Sequence, residues 1–109
     1  MKAMISGENM IQNYSHLFSD KRLSVWHFSI YMALTLLWYE NELANPFSIS
    51  RKSIMELAHV HSFATYHKCI KQLELFGYIQ YNPSYSYYER SSIFINDVDK
   101  LSLVYKHNE

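Results

Sequence analysis

Two serines twelve residues apart, and a glycine fifteen residues after the second, constrain the middle of this chain more than any other feature. A serine hydroxyl can accept a hydrogen bond from one of the unpaired backbone N–H groups at a helix start, so Ser50 and Ser62 each predict an N-cap. Ser50 opens a helix over Arg51 to His59, with Ile54, Met55, Leu57 and Ala58 as its apolar positions. Ser62 opens another over Phe63 to Phe76, with an inner stripe of Tyr66, Ile70 and Leu73 at helical spacing. Gly77 follows at the C′ position, where a left-handed backbone costs glycine little. Only Val60, His61 and Ser62 separate the two helices, so they must turn tightly against each other.

The flanks supply a first helix and a small sheet. Lys21 to Glu42 predicts a long helix, with Val25, Phe28, Met32, Leu36 and Tyr39 at three- and four-residue steps. Trp26, Ile30, Ala33 and Leu37 widen that apolar face. A helix apolar on so much of its surface is central to the fold or dimerises through its second face, so a homodimer through helix 21–42 is an expectation. Asn45-Pro46 stops the helix, because the residue before proline disfavours helical backbone. Phe47-Ser48-Ile49 alternates as a short strand does, as do Tyr78 to Tyr81 and Ser91 to Ile95, where Ile93 and Ile95 share a face. Asn82-Pro83-Ser84 begins a turn-rich excursion through Tyr85, Tyr87 and Tyr88. Asn96 or Asp97 can cap a last short helix over 97–105. Met1 to Asn13 lacks a period and is expected to fray, with a short helical lead-in over Tyr14 to Phe18. The reading is therefore an arm over 1–20 and one α+β, mostly helical domain over 21–109, with a two- to three-stranded sheet.

Two helices joined by a tight break form a helix-turn-helix, here over 50–76. A hairpin after the second helix, here over 78–95, forms a wing. In such an arrangement the second helix buries one stripe and offers its N-terminal half and outer face to base edges. Phe63, Thr65, His67, Lys68, Lys71 and Gln72 are the candidates for that surface, with Ser62 at its start. Lys68 and Lys71 lie three apart and can follow one phosphate strand. Ser50, Arg51 and Lys52 stand at the preceding helix N-terminus, whose N–H groups favour a phosphate. Arg90 is the basic residue of the wing, next to Glu89. Formal net charge is zero, but Ser50 to Ser91 holds five basic residues against three acidic ones. The segments on either side are each −1.

The stretch SRKSIMELAHVHSFATYHKCIKQLELFGYIQYNPS resembles the winged helix-turn-helix proteins of bacteria. Ser62, Thr65, Tyr66, Ile70, Leu73, Gly77, Tyr78 and Ile79 occupy the positions of that family's pattern, which the chain follows from Ser50 to Ile95. GYIQYNPS followed by a serine-rich return is also similar to short regulators carried by bacterial mobile elements. The resemblance implies sequence-specific binding of double-stranded DNA, often as a dimer. It departs from the family at Phe63, where a small polar residue is commoner, and in a wing rich in tyrosine.

A second reading keeps the fold and gives it a protein partner, through the tyrosine-rich wing or the first helix, without direct DNA contact. No glycine-rich phosphate loop, HExxH or triad spacing is present, so no enzyme activity, cofactor or small-molecule substrate is expected. His59, His61, His67 and Cys69 are close in sequence, but His67 and Cys69 point to different faces of a helix, so no metal site is expected. Cys69, the sole cysteine, reads as a small core residue and fits a reducing, cytoplasmic setting. The most apolar stretch, Ile30 to Tyr39, is too short to span a bilayer.

Overall fold

The computed structural model describes residues 7–85 and 90–97. Among these, four helices and three strands follow in the order α1 (Gly7–Ser19), α2 (Val25–Glu40), β1 (Phe47–Ser48), α3 (Arg51–Ala58), α4 (Phe63–Leu75), β2 (Ile79–Asn82) and β3 (Ser92–Ile95). The α+β class matches the sequence reading. Most of the expected 97–105 helix, and Tyr87 and Tyr88, lie outside the described residues.

The paired helices form where their caps predict. Ser50 Oγ accepts from the Ser53 N–H at 3.4 Å, and Ser62 Oγ from the Thr65 N–H at 3.2 Å. His59 ends α3 in the left-handed region at φ 57°. Gly77 does the same after α4 at φ 90°. There the Gly77 N–H reaches the Glu74 carbonyl at 3.1 Å and the Tyr78 N–H the Leu73 carbonyl at 2.9 Å, which satisfies two carbonyls that the helix leaves open. Tyr66, Cys69, Ile70 and Leu73 are all buried, so the inner stripe of α4 is the expected one.

The sheet is antiparallel with β3 in the middle, in the order β1-β3-β2. Phe47 pairs with Ile93, Ile79 with Ile95, and Tyr81 with Ile93. Ile79, Ile93 and Ile95 are buried against the helices. Asn45 extends the pairing beyond β1: its amide Nδ2 donates to the Ile95 carbonyl and its Oδ1 accepts from the Ile95 N–H, both at 3.0 Å. A side-chain amide here stands in for a strand's backbone.

Two expectations are corrected. Residues 7–13, expected to fray, are helical and run on into the expected lead-in over Tyr14 to Phe18; α1 packs on the core through Leu17, which is fully buried. The other anchor is Asn13, also fully buried, whose Nδ2 donates to the Tyr31 hydroxyl at 3.3 Å and the Asn96 carbonyl at 3.2 Å. Met10, Tyr14 and Leu17 recur at helical steps on the packed side, a short period that the polar Asn13 interrupts. The long helix is shorter than 21–42, because Ser24 caps it and residues 20–23 form a turn. Its core face is also different. Ile30, Tyr31, Ala33, Leu34 and Trp38 are buried, whereas Val25, Met32, Leu36 and Tyr39 stand exposed.

Polar contacts then fix α1 and α2 to the rest. The Ser29 hydroxyl donates to the Ala58 carbonyl at the end of α3. His27 is buried at the start of α2; its Nδ1 accepts from the Ser24 N–H at 2.9 Å. That acceptor role leaves the proton on Nε2, which donates to Gln72 Oε1 on α4 at 2.7 Å. Tyr78, entering β2, donates its hydroxyl to Asp20 Oδ2 at 2.9 Å, with the His16 carbonyl at 3.2 Å.

Candidate nucleic-acid interface

The N-termini of α3 and α4 meet on one side of the molecule. Arg51, first in α3, lays its guanidinium over the ring of Phe63, first in α4, at 4.5 Å from the centroid. Such a stack holds a long cation that free rotation would otherwise disperse. Both helix starts are therefore side by side, and their unpaired N–H groups add partial positive charge to that of Arg51 and Lys52.

Between these helix ends and the sheet lies a cleft of about 790 Å³. Ser50, Arg51, Lys52, Phe63 and His67 line it among the sequence-predicted residues. Tyr66 and Tyr81 form part of its apolar floor, and Ser84 and Ser91 its sheet side. Burial pushes the Tyr66 hydroxyl up to about 12, with Tyr81 adding to the rise and Arg51 opposing it. The Tyr66 ring lies edge-on to His67, centroids 5.3 Å apart. Glu56 is the acidic group on the cleft wall.

Other predicted residues fall elsewhere. Lys68 and Lys71 are exposed on α4 and do not line the cleft. Neither they nor Arg51 and Lys52 form an ion pair with a described residue. Ser50 and Ser62 spend a lone pair on their own helices as caps. Thr65 is half-buried. Arg90 is exposed beside the strand that Ser92 begins. Gln72 departs from the expectation that it belongs to the outer surface: its amide oxygen is taken by His27.

Sequence reasoning missed Tyr66 and Tyr81 as cleft residues. Tyr66 was legible as core, but nothing local shows that it would also line a cleft. Tyr81 is placed by a contact outside its own strand, its N–H bonding Glu74 Oε2, seven residues back on α4, at 2.8 Å. His59, His61, His67 and Cys69 do not converge. Among the described residues, no three His, Cys, Asp or Glu side chains are placed to share a metal ion. Cys69 is buried, and burial raises its thiol pKa, the opposite of an activated nucleophile. No helix among the described residues is long and apolar enough to cross a membrane.

Compared with protein-family models, curated proteins and solved structures, the chain matches none of them.

Proposed function

We propose that this chain is a winged helix-turn-helix protein that binds double-stranded DNA sequence-specifically, with α4 in the major groove. The role is that of a transcriptional regulator or an accessory factor of a mobile element, acting in the cytoplasm. The observation that carries the reading is the junction of the two helix starts, where Arg51 stacks on Phe63 and no described acid neutralises Arg51, Lys52, Lys68 or Lys71. The topology supports it. A helix, a strand, two helices joined by a short turn, and two strands with β3 between β1 and β2 are the parts that the winged arrangement needs.

In this reading each group has its task. The helix starts with Arg51 and Lys52 take phosphate oxygens, which fix register on the duplex. Lys68 and Lys71 follow a phosphate strand. Phe63 and His67 face the base edges; an apolar ring there suits a thymine methyl, and an imidazole can donate to a purine acceptor. Arg90 touches the backbone from the wing. Selection of bound duplexes from a random pool by the full chain tests this. A recurrent motif containing thymine opposite Phe63, lost in Phe63→Ala, is the expected result. Recovery of unenriched sequence would reject specific recognition.

A protein partner in place of DNA is favoured by one observation, Glu56 on the cleft wall. That reading predicts duplex binding no tighter than for any neutral protein.

A further inference from the structure

Tyr66 lines the cleft beside the two helix starts, yet only 3% of its surface is exposed. Its hydroxyl makes no hydrogen bond to any described residue. Tyr81 and Arg51, which line the same cleft, are the two groups whose charges act on that hydroxyl, so its polar end lies on the cleft side. Burial holds the proton on, with the pKa at about 12, so at neutral pH the group is a donor. A buried donor without an acceptor costs free energy, and most such groups in folded proteins are paired. The packing of α4 makes no use of this oxygen; a phenylalanine ring would fill the same place.

The cleft supplies the rest of a small-molecule site. Its volume of about 790 Å³ lies within the usual range for ligand clefts. Ile49, Met55, Val60 and the Tyr81 ring give it an apolar floor. Arg51 stands at the helix starts with its guanidinium over Phe63, and a stacked guanidinium keeps its edge N–H groups for a carboxylate. Lys52 is beside it, and the first N–H groups of α3 add partial positive charge. Against these cations the walls carry one carboxylate, Glu56, with His61 and His67 as the other titratable groups. One anionic group on a ligand is therefore favoured, and a second would meet Glu56.

The geometry points to a binding site for a small aromatic carboxylate of one or two rings, its ring on the apolar floor and its carboxylate shared by the Arg51 guanidinium and the Tyr66 hydroxyl. A duplex phosphate suits Arg51 and Lys52, but duplex DNA is stiff on this scale and cannot follow the cleft walls to a side chain 3% exposed. A free phosphate would leave the apolar floor uncovered. The ligand acts as an effector. Arg51, Lys52, Phe63 and His67 also belong to the proposed DNA surface, so an occupied cleft withdraws them from a duplex. That antagonism rests on the DNA reading; the site itself does not.

Calorimetric titration of the full chain with 2-naphthoate, its neutral amide 2-naphthamide, and inorganic phosphate tests the site. Naphthoate is expected to bind with a dissociation constant below about 1 mM, and the amide and phosphate about tenfold more weakly or worse. Tyr66→Phe is expected to weaken naphthoate about tenfold. Its thermal unfolding should match the parent's, because the hydroxyl has no partner to lose. Arg51→Ala is expected to weaken naphthoate at least as much. Absence of naphthoate binding, or binding that ignores both substitutions, overturns the site. Phosphate bound as tightly as naphthoate overturns the aromatic ligand. A clear loss of stability in Tyr66→Phe overturns the unpaired donor on which the site depends. Fluorescence anisotropy of a labelled duplex then tests the antagonism in the parent chain, where saturating naphthoate is expected to displace the duplex. A duplex retained under naphthoate overturns the antagonism. Naphthoate binding that depends on Tyr66, with no duplex binding at all, supports the site and rejects the DNA reading.

Discussion

His27 and Gln72, forty-five residues apart, join the start of α2 to the outer half of α4 through a 2.7 Å hydrogen bond. The imidazole serves both helices at once: Nδ1 completes the α2 cap with Ser24 while Nε2 holds the α4 amide. Gln72→Ala leaves the Nε2–H of a buried ring without its partner, a loss of about 1–2 kcal/mol. Denaturant unfolding is expected to show that loss while the salt dependence and sequence preference of DNA binding stay unchanged. A changed preference would return Gln72 to the base-contacting surface.

Asp20 ties the α1–α2 turn to β2 through Tyr78, and the acid limb of stability reports it. The Arg22 guanidinium, bonded to the carboxylate at 2.6 and 2.8 Å, does most to hold its pKa down to about 2, with smaller help from Tyr78 and the Arg22 N–H. The folded pKa lies below the unfolded one near 3.8, so this stabilisation is complete above about pH 4. It is lost as pH falls through 2. Part of the gain is screened because Arg22 is 58% exposed, which leaves on the order of 1 kcal/mol. Asp20→Asn is expected to lower stability by that amount at pH 7 and to flatten the profile between pH 4 and 2. An unaltered profile would place the acid sensitivity in other carboxylates.

Asn45 is a backbone surrogate for the sheet. Its replacement by Ala leaves both the N–H and the carbonyl of Ile95 unpaired beside the buried core, at a cost of about 2–3 kcal/mol. Asn45→Asp keeps the acceptor but faces the Ile95 carbonyl with a carboxylate, so it is not expected to rescue. Thermal unfolding of the two variants measures this. Asp matching the parent would mean that the donor half of the clamp contributes nothing.

Phe63 holds Arg51 in place. Phe63→Ala is expected to weaken DNA binding about tenfold without changing the number of phosphates neutralised, whereas Arg51→Ala lowers the salt slope by about one. Fluorescence anisotropy on one duplex over a salt series separates the two. Equal slopes for parent and Arg51→Ala would remove Arg51 from the phosphate contacts.

What the sequence showed and what it hid divide by the range of the interaction. Ser50, Ser62 and Gly77 act within one turn of themselves, so α3, α4 and the break between them were legible. Alternation around Ile93 and Ile95 was legible for the same reason. The face of α2 was not. With Val25, Ile30, Leu34 and Tyr39 spread around the helix, periodicity offers no contrast, and only the positions of α3 and α4 decide which side is buried. Asn13 and Gln72 look like surface residues until partners at Tyr31, Asn96 and His27 are brought to them by the fold. At the candidate site, Arg51 and Phe63 were each legible as helix-start residues, but their stack spans a turn whose geometry no spacing rule gives.

The central claim, that the cations of α3 and α4 meet a DNA backbone, is tested most directly by the salt dependence of duplex binding in the full chain and in Lys68→Ala/Lys71→Ala. The logarithm of the binding constant is expected to fall linearly with the logarithm of salt concentration, and the double substitution to reduce that slope by about two while weakening binding to all sequences alike. A slope unchanged by the double substitution, or no duplex binding at low salt, would contradict it.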